Sequence, residues 1–141
     1  GPAVNYAVCC FPIPGDPAHG FLSGGKGLLI HRKTCPASNK QRSNDPARWT
    51  DILWEEINDK QFICYLLLEV EESPGVLAKI ASAISITKSN IVDVSINRHK
   101  GSFFCTLKIG LEISNRIHLA EVLRNIRKVS ALAKVTRLTK S

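Results

Sequence analysis

Cys9, Cys10, His31 and Cys35 have the strongest claim to chemistry in this chain: three thiols and an imidazole, the soft donor set that suits tetrahedral zinc. His31 and Cys35 are four apart, one helical turn, and point the same way if a helix starts there. Cys9 and Cys10 are adjacent, so on an extended backbone they face opposite sides, and both reach one ion only if Phe11-Pro12-Ile13-Pro14-Gly15 bends the chain. Spacing alone leaves three readings open: metal ligands, buried or free thiols, or a nucleophilic cysteine working with His31 or His19. For the nucleophile no third orienting group is identifiable. Gly20 to Lys26 fits the phosphate-loop pattern, but Gly27 stands where a Mg²⁺-binding Ser or Thr belongs. The β-like Leu28-Leu29-Ile30 follows in place of a helix, so the match is accidental.

These residues sit in a unit rich in Pro, Gly, Cys and Lys up to about Asp45, with a turn at Asn44 to Pro46. Phe21-Leu22, the turn Ser23 to Gly27 and Leu28 to Ile30 predict a β-hairpin, and Trp49 to Glu55 adds a strand. A core this small supplies little stability, and domains of its size often need a metal staple. Glu55 to Lys60 reads as a solvated linker, dividing the chain into a first domain over 1–60 and a second over 61–141.

The second domain is patterned throughout. Ile63 to Val70 is a buried strand, and Ser73 caps a helix with Pro74 at its first position and Val76, Leu77, Ile80, Ala81 and Ile84 at helical spacing. Val92, Val94 and Ile96 alternate as a strand after Asn90. A turn at Lys100-Gly101 leads to Phe103, Cys105, Leu107, Ile109 and Leu111 on one face of the next strand. Ser114 caps a second helix carrying Ile117, Ala120, Leu123 and Ile126, and Leu132 to Leu138 closes the order βαββαβ. That is the split-βαβ, ferredoxin-like motif, an antiparallel sheet with two helices on one face. The fold class is therefore α+β: a small cysteine-containing β-rich unit followed by a βαββαβ domain. Cys64 and Cys105 read as small apolar core residues, and His99 and His118 as surface residues.

Composition bounds the function. At 141 residues, 44% hydrophobic and 22% charged, the chain is globular in type and short for a two-substrate enzyme. Its longest apolar run, Phe62 to Leu68, is far below the ~20 residues of a membrane span. The net charge of +7 is uneven: residues 1–50 and 76–141 are basic and 51–75 acidic, which suggests a polyanion-facing surface or ordinary solubility. Five cysteines, an odd count, argue for a reducing, cytoplasmic setting and against a disulfide framework. Met is absent and the chain opens Gly1-Pro2, which reads as a fragment with a protease-cleavage scar.

Cys9-Cys10-Phe11-Pro12-Ile13-Pro14-Gly15-Asp16, then Gly20-Phe21, Gly25-Lys26-Gly27, Ile30-His31-Arg32 and Cys35 resemble the conserved-cysteine, zinc-finger-like RIS domain of long RelA/SpoT-type stringent-response enzymes. The region from about Phe62, through Glu72-Ser73-Pro74-Gly75-Val76-Leu77 and Asn90-Ile91, resembles the ACT domain that ends the same proteins. The resemblance implies the regulatory tail of an enzyme that makes, and usually also hydrolyses, (p)ppGpp. The catalytic domains of such an enzyme lie N-terminal to this region, so this chain itself catalyses nothing. It strengthens zinc at Cys9, Cys10, His31 and Cys35, and it implies ribosome or tRNA contacts, for which Lys26, Arg32, Lys33, Lys40 and Arg42 are the expected phosphate partners. It also implies pairing of ACT units into a homodimer, by edge pairing or helix packing. Finally it implies a small amino acid, branched-chain in type, bound by Glu72, Ser73, Pro74, Gly75, Val76 and Leu77 against Asn90, Ile91 and Val92. There the helix start would meet the carboxylate, and Glu72, Asp93 or a backbone carbonyl the ammonium. The plainer alternative is that Ser73-Pro74-Gly75 only starts a helix and Asn90 only takes a left-handed turn. Two other readings of the whole chain are a free-standing zinc-dependent RNA-binding module and a fragment of an ACT-regulated metabolic enzyme.

Overall fold

The computed structural model describes residues 3–55 and 60–139. The expected linker therefore falls mainly on residues outside the described ones. The N-terminal unit is a four-stranded sheet of β1 (Val4–Tyr6), β2 (Ala18–Leu22), β3 (Leu28–Arg32) and β4 (Trp49–Asp51), in the order β1-β3-β2-β4. β2 and β3 form the expected antiparallel hairpin, with His19 directly opposite His31. β1 runs parallel to β3, and α1 (Pro36–Asn44) follows it. Neither β1 nor α1 is expected from pattern. α1 has no apolar stripe and buries only Ser38, and its one sequence signal is Pro36 at the first turn after Cys35.

The C-terminal unit has the expected order: β5 (Phe62–Glu71), α2 (Val76–Ser85), β6 (Ile91–Arg98), β7 (Phe104–Ile113), α3 (Arg116–Arg127) and β8 (Leu132–Arg137). Every pairing is antiparallel, in the order β6-β7-β5-β8. Strict alternation on β5 buries Phe62, Cys64, Leu66, Leu68 and Val70. They meet Cys105, Leu107, Ile109 and Leu111 of β7, and the helix positions Val76, Ile80, Ile84, Leu119, Val122 and Ile126. Cys64 and Cys105 are core residues, as expected.

Several expected details move. Phe103 precedes β7 and is 86% exposed, so it does not share the buried face. α2 starts at Val76, two residues beyond the expected first position, because Gly75 takes a left-handed φ of 78° as N-cap, a conformation open to glycine at little cost. Ser73 is therefore not the cap; its carbonyl accepts from the Val76 N–H in a turn. The left-handed residue after α2 is Lys88 (φ 63°), not Asn90. α3 is capped by Asn115, whose side chain accepts from the His118 N–H at 2.8 Å, and not by Ser114. His118 is half-buried rather than a free surface residue. Its Nδ1 accepts from the Ser114 N–H at 3.0 Å, which leaves Nε2 to donate to the Thr87 carbonyl at 2.8 Å and ties the end of α2 to the start of α3.

The two units share a core. Ile13, fully buried, belongs to the C-terminal core together with Tyr6 and Trp54, and Tyr6 and Trp54 both meet the Phe62 ring edge-on. Asp16, 4% exposed, is held bidentately by Arg137 of β8 at 2.8 Å on each oxygen, and it accepts the Ile13 N–H at 2.9 Å. Arg32 and Arg116 each lie 3.8 Å away from it. Gly15 (φ 99°) lets the loop pass close to α3: a Cβ there would sit 3.0 Å from that of Arg116. Burial disfavours the charge on Arg137, but the hydrogen bonds to Asp16 outweigh it and raise its pKa.

Candidate metal centre and ligand pocket

The loop before β2 and the start of α1 bring the four sequence-predicted donors together. Cys9 Sγ lies 3.4 Å from His31 Nδ1 and 3.7 Å from Cys35 Sγ, and Cys10 Sγ lies 3.9 Å from His31 Nδ1. All four donor atoms fall within 4.8 Å of one another. Zinc–sulfur and zinc–nitrogen bonds of about 2.3 and 2.0 Å put tetrahedral neighbours roughly 3.5–3.8 Å apart, so the set fits one ion with little rearrangement.

The adjacent cysteines converge because the chain turns at Ala7 to Phe11, earlier than expected. The Phe11 N–H bonds the Ala7 carbonyl at 3.0 Å, and Phe11 itself is left-handed at φ 46°. His31 and Cys35 do not share a helical turn. His31 projects from β3, and Cys35 is the N-cap of α1. Burial pushes the Cys10 thiol up to about 12, and burial followed by Cys35 raises Cys9. Burial opposes ionisation of Cys35 too, but hydrogen bonds, first among them from the Ser38 backbone N–H, outweigh it and lower its pKa. His31 is pushed down by burial and then by His19, which favours the neutral imidazole a metal requires. The backbone N–H of Arg32 donates to Cys10 Sγ at 3.3 Å. All five cysteines are free thiols.

A second site opens beside the start of α2, a cavity of about 300 Å³ lined by Glu72, Ser73, Pro74, Val76 and Leu77 with Ile96, Arg98, Cys105 and Leu107. Arg98 pairs with Glu72 at its rim. Asn90, Ile91 and Val92 do not line it; Ile91 begins β6 and Arg98 ends it, roughly 20 Å away at about 3.3 Å per residue. Gly75 is in the turn itself. Composition gave no hint of Arg98 or Cys105, because only the pairing Arg98–Cys105 across β6 and β7 puts them together.

The expected phosphate contacts diverge. Arg32 is turned inward to Asp16 with its side chain 16% exposed, so it is not a free surface cation. Lys33 is exposed and pairs with Asp51 at 3.2 Å. Lys40 and Arg42 are exposed on α1, and neither forms an ion pair among the described residues. The Lys26 side chain lies outside what the structure describes. No helix among the described residues is long and apolar enough to cross a membrane.

Fold and site together define a two-part module, a ferredoxin-like domain with a thiol–imidazole unit docked on it. The sequence matches the RelA/SpoT RIS domain over residues 1–55 and the ACT domain over 58–137. It is 34% identical over 97% of its length to the bifunctional (p)ppGpp synthase/hydrolase SpoT of Escherichia coli K12, and 29% identical over 95% to the GTP pyrophosphokinase of the same strain. The chain spans 19% and 18% of those two relatives. The solved ACT domain from GTP pyrophosphokinase of Chlorobium tepidum is similar to 56% of this chain over 100% of its own, at 24% identity and a TM-score of 0.48. The chain belongs to the RelA/SpoT family by its RIS domain followed by an ACT domain.

Proposed function

We propose that this chain senses amino-acid starvation for a (p)ppGpp synthetase, hydrolase or both, and biases catalytic domains that precede it in a longer cytoplasmic protein. The domains are 1–60 and 61–141, a division supported by the junction of the two family matches. The observation that carries the reading is the shared core: Ile13 and the Asp16–Arg137 pair make one packed body. A partner that favours one arrangement of either unit is then felt by the other. The test is made in the longer protein, where Asp16→Ala should blunt the change in (p)ppGpp on starvation. An unaltered response would favour the free-standing zinc-dependent RNA-binding module instead.

Ribosomal RNA or tRNA is the polyanion that this reading assigns to the α1 face, through Lys33, Lys40 and Arg42, with Lys26 kept as an expected contact from sequence. Reversing Lys40 and Arg42 to Glu should weaken ribosome binding about tenfold or more at low salt and flatten its salt dependence by roughly one per lost contact. Co-sedimentation with ribosomes across a salt series reads this, and unchanged affinity rejects the face.

For the ACT unit the ligand is a zwitterionic, branched-chain amino acid. Arg98 would take the carboxylate and Glu72 the ammonium in place of each other, with Val76, Leu77, Ile96 and Leu107 around the side chain. β6 is an outer strand, and its Val92, Val94 and Ile96 are 38–44% exposed, an apolar edge suited to a second copy. Antiparallel pairing of two β6 edges would lay Asn90, Ile91 and Val92 of a second copy beside the Arg98 end, reuniting the expected residues across a homodimer. Sedimentation and calorimetry with valine, isoleucine, leucine and serine should therefore show a dimer that an aliphatic ligand tightens. Ile96→Asp should give a 15.5 kDa monomer that binds none. If no amino acid binds below about 1 mM, near −4 kcal/mol, the cavity is architectural and sensing runs through RNA.

A further inference from the structure

Beyond the four donors lies a buried polar chain that packing alone does not call for. His19 on β2 is 1% exposed and stands directly opposite His31, so both imidazoles leave the sheet on the same side. Its Nε2 meets Ser38 Oγ at 2.8 Å, and Ser38, fully buried, meets the carbonyl of Cys35 at 3.1 Å. A hydroxyl has one proton, and the Cys35 carbonyl can only accept. Ser38 therefore donates to Cys35 and accepts from His19, which fixes His19 as the neutral Nε2–H tautomer. Among the described residues His19 Nδ1 is buried without a partner, a cost that an apolar residue at this position would avoid. Trp49 packs on both imidazoles, with ring centroids 4.6 Å from His19 and 5.5 Å from His31.

Resting on the metal reading, we propose that His19 and Ser38 are positioning residues for the metal centre, holding the Cys35 backbone so that its thiolate faces the ion. The chain of bonds runs from the strand that carries no ligand, through the third residue of α1, to the helix cap that carries one. The Cys35 N–H also bonds the Arg32 carbonyl at 3.0 Å and Asn39 Nδ2 the Lys33 carbonyl at 2.9 Å, so α1 stays seated when Ser38 is released, and what loosens is the aim of Cys35. Outer partners of this kind commonly alter metal affinity by 10- to 100-fold without touching the ion.

The 141-residue chain is titrated with zinc against a chromophoric chelator and with cobalt, whose visible spectrum reports ligand geometry. Ser38→Ala and His19→Leu should each weaken zinc binding 10- to 100-fold at unchanged stoichiometry and alter the cobalt bands. The double variant should be no weaker than the worse single one, because the two residues act in series. His19→Gln, which keeps an N–H donor, should recover most of the affinity. If His19→Leu does not fold, Ser38→Ala carries the result. Folded variants that bind zinc within twofold of the parent overturn the proposal. A parent chain that takes up neither metal overturns the metal reading itself, a result told apart by needing no variant.

Discussion

Asp16→Ala should be the most damaging single substitution in this protein, costing about 3–5 kcal/mol, the range for breaking a buried ion pair from one side. Asp16 balances Arg137 directly, and Arg32 and Arg116 at 3.8 Å. Its loss leaves buried guanidinium charge with no counter-charge and removes the acceptor for the Ile13 N–H. Removing Arg137 alone should cost less, because Arg32 and Arg116 still face the carboxylate. Both tryptophans lie in the N-terminal unit, and Trp54 Nε1 donates to the Asp16 carbonyl at 2.7 Å. Urea unfolding followed by tryptophan fluorescence and by circular dichroism should thus coincide in the parent chain. In Asp16→Ala the fluorescence transition should come first, as the cysteine unit leaves its seat. Coincident transitions with less than about 1 kcal/mol lost would show that Ile13 and the aromatic contacts hold the units together unaided.

Zinc removal is the second large effect. The purified chain should contain about one zinc, and a ligand at a thousand times its dissociation constant stabilises the folded state by about 4 kcal/mol, so chelation should lower the free energy of unfolding by that order and move the midpoint down. The site needs thiolates, and burial raises Cys9 and holds Cys10 up at about 12. Binding must then release protons, and affinity must fall as pH falls. Calorimetry in buffers of different ionisation enthalpy measures the protons released. Cys10→Ser should abolish the zinc-dependent part of the stability and leave the C-terminal core intact. A metal-free chain that still unfolds cooperatively at the same midpoint would make Cys9, Cys10, His31 and Cys35 structural residues only.

Much of the C-terminal unit was legible because its physics is periodic. The unbroken apolar run read as a strand over Ile63 to Val70 and the helical spacing of Val76, Ile80 and Ile84 each follow from burial, which is visible in sequence; which strand residues face the core was settled by the fold. The donor set was legible by residue type, although spacing alone left metal ligands, buried thiols and a nucleophile open; the convergence of the four donor atoms came from the fold. Helix ends were less so: Gly75 displaced Ser73 as cap, and Asn115 displaced Ser114, because capping depends on the backbone angle a residue takes and not on its identity alone.

Only tertiary structure could decide the rest. Arg32 looked like a surface cation and is turned to a buried carboxylate; Arg98 and Cys105 became pocket walls through a strand pairing; α1, with no apolar stripe, is held by Cys35, Ser38 and His19. Phe11 to Asp16, read as a bend serving two cysteines, is also the segment that docks the first unit on the second. Sequence by itself determined which faces are apolar and which atoms can bind a metal, since both are properties of residue types at short spacing. Which charge is neutralised, and which unit seats on which, depends on atoms 121 residues apart, as in Asp16 and Arg137, and no local pattern carries that information.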